Sequence, residues 1–275
     1  MQYDFDKKES LAKAEQEKIN ALAFEELAKQ KLLRNSFLAG FSIVFLFALI
    51  FLTQRNYIKR AKLRSDELLL NILPGEVVDE LKLKGTTLAR QFDNVTVMFT
   101  DFKGFTRMTE NLSPAELIAE LDECFGAFDD IIARHNMEKI KTIGDSYMAV
   151  GGLPLTNSTH PSDVVKAGLE IRQFIEDRRQ NQTGKKSNIE VRIGIHTGPV
   201  IAGIIGTKKF AYDIWGDTVN IASRMESAGD PGKVNISEST FSHIKETFLC
   251  THRGKIDAKN KGFIDMYFVE SGTMV

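Results

Sequence analysis

Between Phe37 and Thr53 the chain runs for seventeen residues without a charge, built from Phe, Leu, Ile, Val, Ala, Gly, Ser and Thr. As a helix rising about 1.5 Å per residue this run would cover roughly 25 Å, slightly short of a hydrocarbon core of about 30 Å. Asn35, Ser36 and Gln54 extend it, and Arg34 and Arg55 have stems long enough to snorkel. Charged flanks on both sides argue against a buried core helix. The distance from the N-terminus, with no small-residue cleavage site following, argues against a secretory signal. One transmembrane helix is therefore expected over 35–55. Arg55, Lys59, Arg60, Lys62 and Arg64 crowd its C-terminal flank, against Lys29, Lys31 and Arg34 on the other. That bias places everything after the span in the cytoplasm, in a single-pass protein of the inner or plasma membrane.

The span divides the chain. Residues 1–34, rich in Ala, Glu, Lys and Leu and free of Gly and Pro, are expected to form a charged extracytoplasmic helix. Its heptads (Leu11, Ile19, Leu22, Leu27, Leu33) are too sparse to assure a coiled coil. A bare helix makes a poor sensor, so an upstream receptor domain is expected in a longer parent. Residues 56–85 are expected to be a stalk and linker, with Ile58, Ala61, Ser65, Leu68 and Ile72 at spacings of three and four as a parallel two-helix seam. Pro74-Gly75 stops it, and Glu76 to Leu83 form a short amphipathic helix. Residues 86–275 remain for one folded domain.

That domain has the composition of an ordinary folded protein, the whole chain being 43% hydrophobic and 27% charged. A net charge of −1 gives no global attraction to nucleic acid, and none is expected as a partner. Cys124 and Cys250 are the only cysteines and lie far apart, which excludes a zinc framework or a disulfide scaffold. His135, His160, His243 and His252 show no ligand spacing, and His196 reads as a strand-end histidine bonded locally.

The period of the apolar pattern alternates between two and 3.6. Asn94–Asp101 reads as a strand, and Ser113-Pro114-Ala115-Glu116 is a capping box with Pro at the first helical position. The helix it opens buries Leu117, Leu121, Phe125, Phe128 and Ile132. Met137–Ile143 and Ser146–Gly151 form a hairpin, followed by a helix near Pro161–Asn181 and a strand over Ile189–Ile195. A Gly-rich hairpin over Gly198–Ile214, a helix at Asp217–Ser227 and strands near Val234, Phe248–Ile256 and Met266–Val269 complete the order. A β-α-β-β-α-β order with an antiparallel extension predicts an α/β (α+β) ferredoxin-like, palm-type domain.

Two aspartates sit where such a fold presents side chains. Asp101 ends the run Val95-Thr96-Val97-Met98-Phe99-Thr100 and precedes Phe102-Lys103-Gly104-Phe105-Thr106; Asp145 lies in Lys141-Thr142-Ile143-Gly144-Asp145-Ser146, at the turn of the hairpin. A carboxylate at a strand end, followed by a glycine loop and a helix, offers oxygen to a hard cation and N–H groups to phosphate. Two such carboxylates together suit two divalent ions and in-line attack at phosphorus.

These two segments, with Tyr212-Asp213-Ile214-Trp215-Gly216-Asp217-Thr218-Val219-Asn220-Ile221-Ala222-Ser223-Arg224, resemble the class III nucleotidyl cyclases in that family's order, from Phe92 to Val269. The resemblance implies that Asp101 and Asp145, with the Phe102 carbonyl, hold two Mg²⁺ or Mn²⁺. It implies that amides through Gly104, Phe105 and Thr106 cradle the triphosphate, that Asn220 orients the ribose, and that Arg224 stabilises charge at the α-phosphate. Lys259, with Lys261 as its alternative, would meet the terminal phosphates. Lys141 and Asp213 stand where the family reads the purine. A Lys donor and a carboxylate acceptor suit adenine, whereas guanylate-specific members carry Glu and Cys-like residues there; a structural salt bridge between the two is the competing reading.

The family takes its metal carboxylates from one protomer and its base, ribose and lysine residues from the other. This chain carries both sets, so the resemblance implies a homodimer with two shared sites and an inactive monomer. The expected activity is that of a membrane-anchored adenylate cyclase making 3′,5′-cyclic AMP and pyrophosphate from ATP. A guanylate cyclase is the rival within the class, and a catalytically silent dimerisation or nucleotide-sensing module the rival outside it.

Overall fold

The computed structural model describes residues 2–105, 109, 112–181, 189–206, 209–258 and 262–273. The chain forms two units, the first ending at Leu68 and the second beginning at Leu69. In the first, one helix, α1 (Gln2–Leu70), takes in the charged, apolar and basic segments without a break. Its apolar stretch is long enough to cross a membrane, and the side chains there are exposed, Phe37 by 77% and Phe41 by 72%. The hydroxyls within the stretch are returned to the helix: Ser42 Oγ donates to Leu38 O at 2.8 Å and Thr53 Oγ1 to Ile50 O at 2.8 Å. The run therefore offers no unsatisfied side-chain hydroxyl to an apolar surrounding.

The helix ends before the expected seam does. Ile72 and Leu73 turn back to hydrogen-bond the Leu69 carbonyl, so Ile72 lies in a turn and the helical seam consists of Ile58, Ala61, Ser65 and Leu68. Pro74 is the cause, since it disfavours helical backbone in the residue before it and brings no N–H of its own. In the second unit, α2 (Gly75–Lys84) follows and stops at Gly85, which takes φ 70°. Leu73 and Val78 are buried here against the sheet.

The remaining elements are β1 (Arg90–Lys103), α3 (Pro114–Arg134), β2 (Met137–Ile143), β3 (Ser146–Gly151), α4 (His160–Asn181), β4 (Glu190–Ile205), β5 (Ala211–Trp215), α5 (Asp217–Ser227), β6 (Val234–Ser237), α6 (Glu238–Ile244), β7 (Phe248–Ala258) and β8 (Gly262–Thr273). The capping box forms as the sequence predicts, with Ser113 and Glu116 bonding each other's backbone. Two features differ from the sequence reading. The strand at Ile189–Ile195 and the first arm of the Gly-rich hairpin are one sixteen-residue strand, β4, and a short helix, α6, follows the Ser237 cap. A glycine pattern marks a break by propensity, but β1 pairs along β4 as far as Ala202 and overrides it.

The strand order is β2-β3-β1-β4-β6-β8-β7, with β5 paired to the tail of β4; among the described residues only the β4–β6 pair is parallel. The alternation of β1 splits the core. Met98 and Phe102 face a layer containing Phe128, Val165 and Ile171 from α3 and α4. Val97 and Phe99 face the opposite layer, with Val78 of α2 and Ala222 of α5. Asp101, in step with Val97 and Phe99, thus comes out on the α5 side.

Helix α5 lies backbone to backbone on β4. A Cβ on Gly194 would sit 1.8 Å from the Glu226 nitrogen and 2.5 Å from the Met225 carbonyl carbon. Gly194→Ala is therefore expected to destabilise the domain by about 3 kcal/mol, read by denaturant unfolding; an unchanged midpoint would show that α5 has room to move. A second prediction follows from Glu138, half-buried on β2. Burial and the nearby Glu76 carboxylate push it up to about 7. Its folded value stands above its unfolded one, so the proton it keeps contributes stability below the ordinary carboxylate range, and that contribution is lost as pH rises through about 7. Glu138→Gln should leave stability unchanged near pH 5 and add about 1–2 kcal/mol near pH 8, with solvent access allowed for. Thermal unfolding at both pH values checks it, and an equal gain at both would refute the assignment.

Candidate functional site

The central strands bring the two aspartates together. Asp101 stands at the end of β1 opposite Arg192, and Gly144, at φ 63°, turns the β2–β3 hairpin so that Asp145 comes alongside. The Asp145 carboxyl is held above the ordinary carboxylate range by burial, then by the charge of Asp101 and a hydrogen bond shared with it; the Phe102 N–H, donating to Asp145, opposes this in part. Ser146 Oγ donates to Asp101 Oδ1 at 2.8 Å. Gly104, at φ 81°, turns the chain out of β1 beside this pair, and Phe105 packs on the α3/α4 layer. Thr106 lies outside the described residues.

A carboxylate whose proton affinity is raised by burial and by a neighbouring carboxylate is a fit for cations, because a divalent charge relieves the same repulsion as a proton. No cluster of three or more His, Cys, Asp or Glu suited to a metal occurs among the described residues. A cation between Asp101 and Asp145 would have to complete its shell with oxygen from backbone, water or substrate phosphate, as Mg²⁺ commonly does.

Sequence reasoning missed two further charges at this site. Arg192 Nη2 donates to Asp101 Oδ2 at 2.7 Å, while its Nε stands 2.8 Å from Glu226 Oε1. That second approach lacks hydrogen-bond alignment, so it is an ion contact. Glu226 is buried, and its pKa is raised by desolvation against the lowering effect of Arg192. Alternation puts Arg192 on the polar face of the strand, so the signal in the sequence was only its place on the same face as Gly194, the glycine that admits α5, two residues away.

The other expected residues gather elsewhere. Lys141 Nζ donates to Asp213 Oδ2 at 2.5 Å, and Asp213 Oδ1 accepts the Ile214 N–H. The two side chains thus satisfy each other, with Lys141 42% exposed and Asp213 19%. Asn220 is exposed on α5, and Arg224 Nη1 donates to Asp257 O at 2.9 Å. Arg224 therefore stands beside the strand end that leads into the lysine loop; Lys259 and Lys261 lie outside the described residues. His196 differs from the strand-end, locally bonded histidine expected: pairing with β1 carries β4 past it, and its Nδ1 bonds Ser237 Oγ at 2.6 Å, 41 residues along the chain.

The Arg192 network predicts a strong coupling. Arg192→Met leaves Glu226 buried without its counter-charge and should cost about 3–5 kcal/mol. Combining it with Glu226→Leu should recover about 2 kcal/mol of that loss. Additive losses in a double-mutant cycle would mean that the two charges do not depend on each other.

Similarity to known proteins agrees with this arrangement. Residues 87–271 match the family described as the Adenylate and Guanylate cyclase catalytic domain. An adenylate cyclase of Mycobacterium tuberculosis is 36% identical over 210 residues, 75% of this chain and 46% of its own length. A receptor-type guanylate cyclase of Caenorhabditis elegans is 38% identical over 213 residues, 76% of this chain and 18% of its own. The chain thus spans less than half the length of these relatives. Among solved structures, the guanylate cyclase domain of a rhodopsin-linked cyclase from Catenaria anguillulae, in complex with GTP, superposes with a TM-score of 0.62 at 34% identity, covering 66% of this chain and 98% of that one. The adenylyl cyclase CyaB of P. aeruginosa gives a TM-score of 0.62 at 29% identity, covering 68% and 97%. With its two aspartates, its palm-type sheet and a family match over two thirds of its length, the chain belongs to the class III nucleotidyl cyclases.

Proposed function

We propose that the protein is a membrane-anchored adenylate cyclase, acting on ATP as a homodimer with two shared sites. The observation that carries the choice of base is the Lys141–Asp213 pair. Lys141 has three ammonium hydrogens and spends one on Asp213, leaving donors for N1 of adenine. Asp213 offers acceptors to the 6-amino group. Guanine, with a donor at N1 and an acceptor at O6, meets both with the wrong polarity.

The shared site is supported by the two faces of α5. Arg224 and Glu226 are two residues apart, about 200° around a helix of 3.6 residues per turn. Glu226 turns inward to Arg192 and, through it, to Asp101. Arg224 turns away, toward Asp257. A nucleotide held at Asp101 and Asp145 would meet Arg224 and Asn220 from a second copy. In that pairing Asn220 orients the ribose, Arg224 offsets charge at the α-phosphate, Lys259 meets the terminal phosphates, and turns at Gly104 to Thr106 supply amides to the triphosphate. Asp101, Asp145 and the Phe102 carbonyl would hold two Mg²⁺ or Mn²⁺, which supply Lewis acidity for activating the ribose 3′-hydroxyl and for neutralising the leaving pyrophosphate. The span near Phe37–Thr53 would anchor the chain with these residues in the cytoplasm, where ATP is.

Purified full-length protein with Mn²⁺ and either ATP or GTP tests the substrate. Cyclic AMP as the main product is expected; cyclic GMP alone would select the guanylate cyclase, and no turnover the silent module. Asp101→Ala and Lys141→Ala should each abolish activity, and mixing them should restore roughly a quarter of it, because about half the pairs are mixed and each has one intact site. No recovery after proven subunit exchange would exclude shared sites.

A further inference from the structure

A chain of buried side chains runs between His160, at the start of α4, and His196, on β4. His160 Nδ1 lies 2.8 Å from Thr96 Oγ1, which lies 2.8 Å from Thr197 Oγ1. Thr197 Oγ1 is 3.0 Å from Thr240 Oγ1, and Thr240 Oγ1 is 3.4 Å from Ser237 Oγ. Ser237 Oγ is 2.6 Å from His196 Nδ1. All six residues are buried, none more than 8% exposed. At the far end, a Cβ on Gly198 would lie 3.5 Å from His196 Nε2 and 2.6 Å from Thr218 Oγ1, so Nε2 and the first turn of α5 flank the same glycine. His196 and Thr218 also line one cavity of about 480 Å³, with Trp215 and Ile221.

Proton counting constrains this chain. It has five links and four hydroxyls, and each hydroxyl donates one hydrogen. With every link filled, the 3.4 Å one between Thr240 and Ser237 included, the fifth hydrogen comes from one of the two Nδ1 atoms and the other Nδ1 accepts. If His160 accepts, every hydroxyl points toward it and His196 carries its hydrogen on Nδ1, which leaves Nε2 an acceptor in the neutral ring. If His160 donates, the whole row reverses and His196 Nε2 becomes a donor.

We propose that these six side chains form one proton-ordered wire, and that His196 is thereby a positioning residue for α5: the hydrogen-bond polarity it presents to the start of the helix bearing Asn220 and Arg224 is set by the tautomer of His160. The wire itself is independent of the substrate; its effect on turnover rests on the proposed cyclase reaction. Protonated His160 must donate from Nδ1, so acid at one end sets the polarity at the other. The charged and titratable groups facing His160 are Asp163 on its own helix and His243 on α6; burial first, then His243, hold it below the ordinary 6.5, with Asp163 opposing. Asp217, at the start of α5, lines the same cavity as His196.

The test is solid-state ¹⁵N spectroscopy of the full chain in lipid, labelled at its five histidines, with signals assigned from His160→Gln and His196→Asn variants. In the unaltered protein, lowering the pH should move the His196 tautomer with the same midpoint as His160, below 6.5. Thr96→Val cuts the row four links from His196, and should convert His196 from one tautomer to a mixture. It should also lower kcat roughly three- to tenfold with KM unchanged, the scale of one buried hydrogen bond. Restoring the hydroxyl as Thr96→Ser should restore both. Separate midpoints for the two histidines, or a His196 signal indifferent to Thr96→Val in folded protein, would overturn the wire. An altered tautomer with unaltered kcat would overturn the positioning role while leaving the wire. Should Thr96→Val not fold, the titration of the unaltered chain still decides the matter.

Discussion

The register between β1 and β4 is the constraint on which the rest depends. One pairing sets Asp101 opposite Arg192, Phe99 opposite Gly194 and Thr96 opposite Thr197. The first of these places the Arg192 guanidinium against Asp101, the second opens the gap that α5 fills, and the third joins two strands through their hydroxyls. Side chains alternate with a period of two, so a slip of one residue would turn Asp101 into the α3/α4 layer and face Met98 toward α5. The cost of that slip is the loss of both core layers at once. The packing of apolar side chains therefore fixes the site's chemistry without any of them taking part in it.

Much of this was legible in the sequence, for identifiable reasons. The hairpin Met137–Ile143 and Ser146–Gly151 has the bounds read from alternation and from the Gly144 turn, because local chemistry alone specifies it. The Ser113–Glu116 box is equally local. What escaped notice depends on distant partners. Arg192 sits in an alternating strand and reads as solvent-facing, yet Asp101 and Glu226 lie far from it in sequence. The unbroken run of β4 through Gly198 is enforced by β1, which no local signal along β4 reveals. Ser237 reads as a strand residue, while its side chain caps α6 and continues the buried row to His196.

The site also shows how one chain separates tasks that a single pocket would confuse. Helix α5 has one side committed to Glu226 and Arg192 and the other to Asn220 and Arg224. The inward side is held by an ion contact to β4 of its own subunit. The outward side carries the two residues to which the proposed reaction gives the ribose and the α-phosphate. Placing the two on one rigid helix, seated backbone to backbone on Gly194, means that any movement of the outward residues must also strain the ion contacts of the inward ones. Catalytic precision on such a helix comes from packing it against the strand rather than from the residues that meet substrate.

Choice of base obeys a different economy. Relatives called adenylate cyclase and relatives called guanylate cyclase are 36% and 38% identical to this chain, so overall identity does not discriminate between them. It has no reason to, because sheet, helices and paired aspartates answer to the triphosphate and the fold, which both substrates share. The purine edge is read by hydrogen-bond polarity, and reversing one buried donor–acceptor match costs about 1–3 kcal/mol, a factor of roughly ten to a hundred. Two such matches suffice for strong preference, and the reading proposed above assigns them to Lys141 and Asp213, which hold each other 2.5 Å apart. That mutual contact keeps a donor and an acceptor adjacent. A salt bridge between the two is therefore compatible with the purine-reading role proposed for them, since the contact that satisfies each side chain also holds it in place for a base.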